Sequence, residues 1–266
     1  MSTTYLMENE EEIERLERKT DAGVVERWAR TAGLQPGMRV VDLCCGAGLT
    51  TSILAEVAGP EGSAVGIDFS GPRLEHGRAR YGGPTTSFVQ RDVRQPLTGV
   101  GPFDFAWVRF ALEYFREEAF SIVSHLADVM APGGIVCLVD LDHNCLNHFG
   151  LSPRLERALT SAVHQVETAG NFDPYAGRKL YSHLHRLGFE DLKVEAGAHH
   201  LIYGALSPVD EYNWTRKIEV IVRNRGIVLP GYDSAEAFLD DFLAFFRDPG
   251  RFTYTPVIAC WGVKPA

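Results

Sequence analysis

Asp42, Gly46, Gly48 and Asp68 have the types and spacing of a nucleoside site. The run Val40-Val41-Asp42-Leu43 is apolar and carries an acid near its end, Cys44-Cys45-Gly46-Ala47-Gly48 interrupts it with two glycines, and Val65-Gly66-Ile67-Asp68 closes a second strand-like run on another acid. Without a Cβ, Gly46 and Gly48 let the chain turn sharply and approach a ligand at the carboxyl edge of a sheet. A carboxylate after the next strand can accept both ribose hydroxyls.

A dinucleotide fingerprint would place G-x-G-x-x-G straight after the strand, so that uncharged amides at a helix N-terminus meet a pyrophosphate. Here Asp42 stands where the pyrophosphate would lie, and a buried carboxylate repels a phosphate pair in a low dielectric. An acid at that place suits a ligand with a cationic end, such as S-adenosylmethionine with its ammonium and sulfonium. Plainer roles compete: Asp42 could cap a helix starting near Leu49, and Asp68 could be an N-cap. Phe69 stands either at the adenine edge or in the core.

The order of the following segments resembles that of the class I S-adenosylmethionine-dependent methyltransferases over residues 35–139. VVDLCCGAG is similar to the family's nucleotide loop, with Cys44 replacing its usual first glycine; VGIDFS, residues 65–70, resembles the second strand with its ribose acid. FVQRDV, residues 88–93, resembles the third strand, whose acid Asp92 would accept from the adenine amino group. FDFAWVRFALEYF, residues 103–115, and APGGIVCLVDLD, residues 131–142, resemble the fourth and fifth strands with their turns. The resemblance implies a cofactor site drawn from Asp42, Leu43, Cys44, Gly46, Gly48, Asp68, Phe69, Arg73, Asp92, Val93 and Arg109, with Tyr5 and Arg15 reaching the methionine end. It implies a Rossmann-like α/β fold with a seven-stranded, mostly parallel sheet whose last strand is antiparallel.

The elements that must hold these residues follow from periodicity. Strands are expected near 39–44, 64–68, 87–91, 103–109 and 134–141, alternating with helices and joined by right-handed crossovers. Apolar positions at Ile13, Leu16, Val24, Val25 and Trp28 suit two N-terminal helices. Beyond His143 come helical stretches at 154–168 and 179–187, a long strand over 189–204 and a last strand over 252–263. The chain reads as one domain: an N-terminal helical segment 1–33, a core of 34–206 and 252–266, and a helical cap 207–251. The cap and residues 5–19 are expected to close over the ligands as a lid.

The loop 140–148 holds the densest cluster of polar side chains. His143, Cys145 and His148 could approach one ion, but no zinc spacing is matched. A magnesium site of the catechol-methylating type would need an acid after the fourth strand, where Arg109 stands, so no metal is expected. If the acceptor enters protonated, His143, His199 and Tyr203 are the candidate bases, with His200 behind them; of two successive strand histidines only one is expected to point inward. Phe110, Tyr114, His143, Phe149, Tyr181, Tyr203 and Trp214 are the expected acceptor-binding residues, with Tyr175 and Tyr212 nearby. Aromatic walls with polar tips suit a small, partly apolar or aromatic acceptor. Val108-Arg109-Phe110-Ala111 is unlike the N-P-P-Y run of base and glutamine methylation.

The expected activity is therefore methyl transfer to a small molecule, O-methylation first. A non-methylating cyclisation or rearrangement, a protein acceptor and a degenerate binding protein stand as alternatives. A net charge of −9 argues against nucleic acid as partner. No apolar run has the length of a membrane span and the acidic N-terminus is unlike a signal peptide, so a cytoplasmic protein with no membrane partner is expected. Five cysteines read as reduced core residues. A homodimer is compatible with the sequence.

Overall fold

The computed structural model describes residues 20–223 and 226–266. Its centre is one mixed sheet. Strands β1 (Arg39–Leu43), β2 (Ser63–Asp68), β3 (Thr86–Gln90), β4 (Phe103–Arg109) and β5 (Met130–Leu141) run parallel in the order β3-β2-β1-β4-β5. Helices α1 (Ala22–Ala32), α2 (Leu49–Ala58), α3 (Gly71–Tyr81) and α4 (Ala119–Asp128) connect or flank them. Parallel strands buried on both faces need near-continuous apolar sequence, and β1 and β4 supply it: Val40, Val41, Leu43, Phe105, Ala106, Trp107 and Val108 are all buried.

Several of the helices start on a side-chain cap. Asp21 accepts the Val24 amide hydrogen at 3.1 Å and caps α1, and Gly33 closes that helix in the left-handed conformation. Beyond the core, a two-residue strand β6 (His148–Phe149), α5 (Pro153–Ala169), α6 (Leu180–Arg186), β7 (Glu190–Tyr203), α7 (Pro208–Arg223), α8 (Ala235–Arg247) and β8 (Phe252–Val263) complete the fold. Ser152 and Ser234 cap α5 and α8 by accepting the Leu155 and Ala237 amide hydrogens.

Strand β8 inserts antiparallel between β5 and β7, as expected of the last strand. Among the described residues the sheet has eight strands, not seven. The extra strand is β6, which pairs His148 with Thr253 and Phe149 with Phe252 on the outer stretch of β8, past the end of β5. Two residues of pairing carry too weak a periodic signal to be read from sequence.

The cap has a core of its own. Trp214 and Ile218 of α7 and Phe238, Phe242 and Phe246 of α8 pack with Leu155, Leu159 and Val163 of α5. Trp214, Phe238, Phe242 and Phe246 are each no more than 1% exposed. Among the described residues no helix is long and apolar enough to cross a membrane.

Candidate cofactor and acceptor cleft

The strand order reverses between β1 and β4, and in open α/β sheets ligands bind at the carboxyl ends of the strands flanking such a point. Asp42 lies near the end of β1 and Arg109 ends β4. They share the walls of one cleft with Cys44, Gly46, Gly48, Asp68, Phe69, Arg73, Phe110 and Tyr114. Thr20, Cys45, Ala47, Leu49, Thr50, Ala111 and Phe115 complete it.

Asp42 is 2% exposed, and its Oδ2 accepts the Thr51 hydroxyl at 2.7 Å. Burial pushes its carboxyl up to about 7, against the pull of Thr51 and the Arg109 guanidinium. Burial equally pulls the Arg109 guanidinium down to about 10, opposed by Asp42, Asp140 and Asp21. Among the described residues Arg109 makes no hydrogen bond or ion pair; its guanidinium lies 4.1 Å from the Phe110 ring centre. The cleft thus presents one acid and one base of incomplete internal pairing, side by side.

Asp68 is held from both sides: Oδ2 accepts the Gly46 amide hydrogen at 3.0 Å and Oδ1 accepts that of Ser70 at 2.9 Å. Arg73 stands 3.9 Å from Oδ1 and faces the Phe69 ring. Neither acid is a helix cap, since Gly48 caps α2 without a side-chain bond and Ser70 occupies the N-cap of α3. So fixed, Asp68 lines the cleft.

The glycine loop is shaped as much by packing as by a ligand. A Cβ on Gly48, whose φ is 93°, would lie 2.7 Å from the Phe88 ring of β3, so the loop rests directly on that side chain. Left-handed residues recur where the strands end: Cys44 after β1 (φ 60°), Phe110 after β4 (φ 54°), His143 and Cys145 after β5 (φ 46° and 68°). Such a conformation costs on the order of 1–3 kcal/mol in a non-glycine residue and concentrates at functional sites. Of these residues, Cys44 and Phe110 line the cleft.

Residues 40–134 match the methyltransferase-domain family model. The chain carries the class I S-adenosylmethionine-dependent methyltransferase domain. An uncharacterised methyltransferase of Synechocystis is 38% identical over 137 residues, covering 51% of this chain and 60% of that protein. A demethylmenaquinone methyltransferase of Lactococcus lactis is 29% identical over 113 residues, 41% of this chain and 44% of that protein. The chain spans about half the length of these curated relatives. Among solved structures, YcgJ of Bacillus subtilis is similar in fold, with a TM-score of 0.59 over 92% of this chain and 100% of that one at 14% identity.

Several residues expected in this cleft stand elsewhere. Both oxygens of Asp92 accept from the Arg94 guanidinium, which holds its carboxyl below the usual range, and Asp92 does not line the cleft. Val93 and Leu43 point into the core. Trp214 lies in the cap core. Phe149, Tyr181 and Tyr203 are 73%, 48% and 65% exposed and outside the cleft wall, Tyr181 stacking on His185. His143 meets the Tyr175 ring edge-on at 5.1 Å, also outside the wall. Tyr5 and Arg15 lie outside the described residues.

The polar loop after β5 is occupied by internal partners. Arg178 grips Asp142 with two 2.8 Å bonds, Asn144 donates to Glu113 and accepts from Lys217 of the cap, and His148 engages Thr253 and the Cys145 carbonyl. Burial pushes the His148 imidazole down to about 4. Among the described residues no cluster of His, Cys, Asp or Glu could hold a metal, and the cysteines are free.

Proposed function

We propose that the protein transfers a methyl group from S-adenosylmethionine to the hydroxyl oxygen of a small, partly apolar or aromatic acceptor. The observation that carries this reading is the pair Asp42 and Arg109 at the switch point, beside Asp68: an acid and a base, each incompletely paired, matching the ammonium and carboxylate of an amino acid, and a second acid one strand away matching a ribose. The donor supplies a methyl on a sulfonium that is already a good leaving group.

The residues then have defined tasks. Asp68, fixed by the Gly46 and Ser70 amides, accepts the ribose hydroxyls without reorganising. Phe69 covers the open side of the cleft, being 42% exposed at its rim. Asp42 and Arg109 orient the amino-acid end. Phe110, Ala111, Tyr114 and Phe115 wall the remaining space, whose aromatic character suits a planar acceptor. The relatives named for demethylmenaquinone lend support to a small, ring-bearing acceptor.

The test is direct. Calorimetry should give micromolar binding of S-adenosylhomocysteine, and incubation with S-adenosylmethionine and a small-molecule extract should yield a product heavier by one methylene. Tighter binding of NADH than of S-adenosylhomocysteine would overturn the assignment.

A further inference from the structure

Successive residues of a strand face opposite ways, yet the rings of His199 and His200 have centroids 4.2 Å apart. The cause is Pro256. The register of β7 on β8 steps from Ala198↔Pro256 to His200↔Thr255, so His199 is an extra residue with no counterpart on β8. Proline has no amide hydrogen to give the ladder, and strands accept it at a bulge. A bulge re-aims the side chain it carries, and bulges are over-represented beside active sites.

Here the re-aimed ring, itself outside the cleft wall, packs against a residue that lines it. His199 packs on Phe110 with centroids 4.6 Å apart and planes tilted by 54°. Strands β4 and β7 are separated in the sheet by β5 and β8. A contact between the residue that follows β4 and one on β7 must therefore cross above the end of β5, on the carboxyl side of the sheet where Asp42 and Arg109 also end. The neighbouring His200 is engaged on its own side, its Nδ1 3.3 Å from Thr255 Oγ1 and its ring 5.7 Å from Trp214 in the cap. His199 is thus the imidazole beside the acceptor wall, whereas His143 packs on Tyr175 and Tyr203 is exposed.

We propose that His199 takes the proton of the acceptor hydroxyl, a role that rests on the methyl-transfer reading above. The acceptor O–H bond breaks with the proton passing to an imidazole nitrogen of His199; the oxygen bonds to the methyl carbon as the carbon–sulfur bond breaks, its electron pair staying on sulfur. The products are a methyl ether, S-adenosylhomocysteine and an imidazolium that returns its proton to water.

The test uses the full chain saturated with S-adenosylhomocysteine and 4-nitrophenol as probe, whose anion absorbs at longer wavelength than its neutral form. Below the probe's own pKa, the wild type is expected to hold it as the anion, and His199→Gln, with unchanged affinity for S-adenosylhomocysteine, to hold it neutral. Turnover with phenols of graded acidity is the second readout. A positioned base contributes roughly 10²–10⁴-fold, so His199→Gln should lower kcat by about that much for the least acidic phenol, with KM little changed, and by progressively less as acidity rises. His199→Asn replaces the glutamine variant if that one fails to fold. A probe bound neutral by the wild type, an equal loss across the series, or no phenol bound or methylated by a protein that binds S-adenosylhomocysteine would overturn the proposal. Failure to bind S-adenosylhomocysteine would overturn the methyl-transfer reading and this proposal with it.

Discussion

The hydroxyl of Thr51 donates a 2.7 Å hydrogen bond to Asp42, so the acid of β1 is tied to the first turn of the helix that the glycine loop leads into. That tie holds the carboxyl in place without fully offsetting its desolvation, and the group titrates at about 7 instead of in the usual carboxylate range. An ammonium arriving in the cleft meets a neutral acid below that pH and an anion above it.

Affinity for S-adenosylhomocysteine should therefore rise as pH climbs through about 7 and level off above it. The sign for folding is opposite. A carboxyl whose folded pKa is raised leaves stability untouched below the unfolded value of 3.8, and lowers it progressively as pH rises from there to about 7. Every tenfold weakening of the acid on folding costs about 1.4 kcal/mol once the group is ionised. Asp42→Asn should thus melt higher than the wild type at pH 8 in the absence of ligand, yet bind S-adenosylhomocysteine weakly and without pH dependence. Calorimetry and thermal melts at mildly acidic, neutral and mildly alkaline pH check both signs; a pH-independent wild-type affinity would contradict the pairing.

Arg109→Met should separate the two ends of the cofactor. A charged hydrogen bond is worth about 1.5–3 kcal/mol, roughly tenfold or more in affinity. The variant is expected to lose that much for S-adenosylhomocysteine and almost nothing for 5′-methylthioadenosine, which has the nucleoside but no amino-acid end. Equal losses for the two ligands would mean that Arg109 shapes the cleft without touching the carboxylate.

Much of this site was legible because it depends on local chain chemistry. Asp42, Gly46, Gly48 and Asp68 follow from strand ends and a glycine turn, and the same pattern placed the five parallel strands. Asp92 misled, since an acid after a strand reads the same whether it faces a ligand or a neighbour, and Arg94, two residues on, closes back onto it. Tyr181, Tyr203 and Trp214 misled for another reason: aromatic type does not tell a pocket wall from a cap core or an exposed strand. The bulge at His199 was not foreseen, although Pro256 inside an apolar run is its visible trace.

The loop after β5 should act as a joint and not as a metal site. Glu113 is 3% exposed, accepts from the Asn144 amide, and through Asn144 meets Lys217 on α7. Asp140 holds the same turn by accepting the Glu113 amide hydrogen at 3.1 Å. Breaking one member of a buried charged network leaves the others uncompensated, at a cost of up to about 3–5 kcal/mol. Lys217→Met should destabilise the fold, and adding Glu113→Gln should recover part of the loss; denaturant unfolding of the singles and the double measures the coupling. Independent, additive losses would mean the three groups do not act as a unit.

With Asp142 committed to Arg178, Asn144 to Glu113 and Lys217, and a cation at Arg109, activity should survive a chelator unchanged. Turnover lost in the chelator and restored by magnesium or zinc would contradict this.

The amphipathic pattern of the cap suggests a lid that closes when the cofactor binds, but its packing points to a fixed scaffold. Trp214, Phe238, Phe242 and Phe246 are fully enclosed and share their core with α5, which is tied to the sheet through the β5 loop. A helix pair could swing as a lid only by exposing that surface, and truncating one buried aromatic costs about 3–5 kcal/mol. Phe242→Ala should therefore lower the unfolding free energy by that amount. Hydrogen exchange of 208–223 and 235–247 should be the same with and without S-adenosylhomocysteine, while the segments 44–48 and 110–115, which wall the cleft on strained backbone, gain protection. Ligand-dependent protection spread across α7 and α8 would restore the lid.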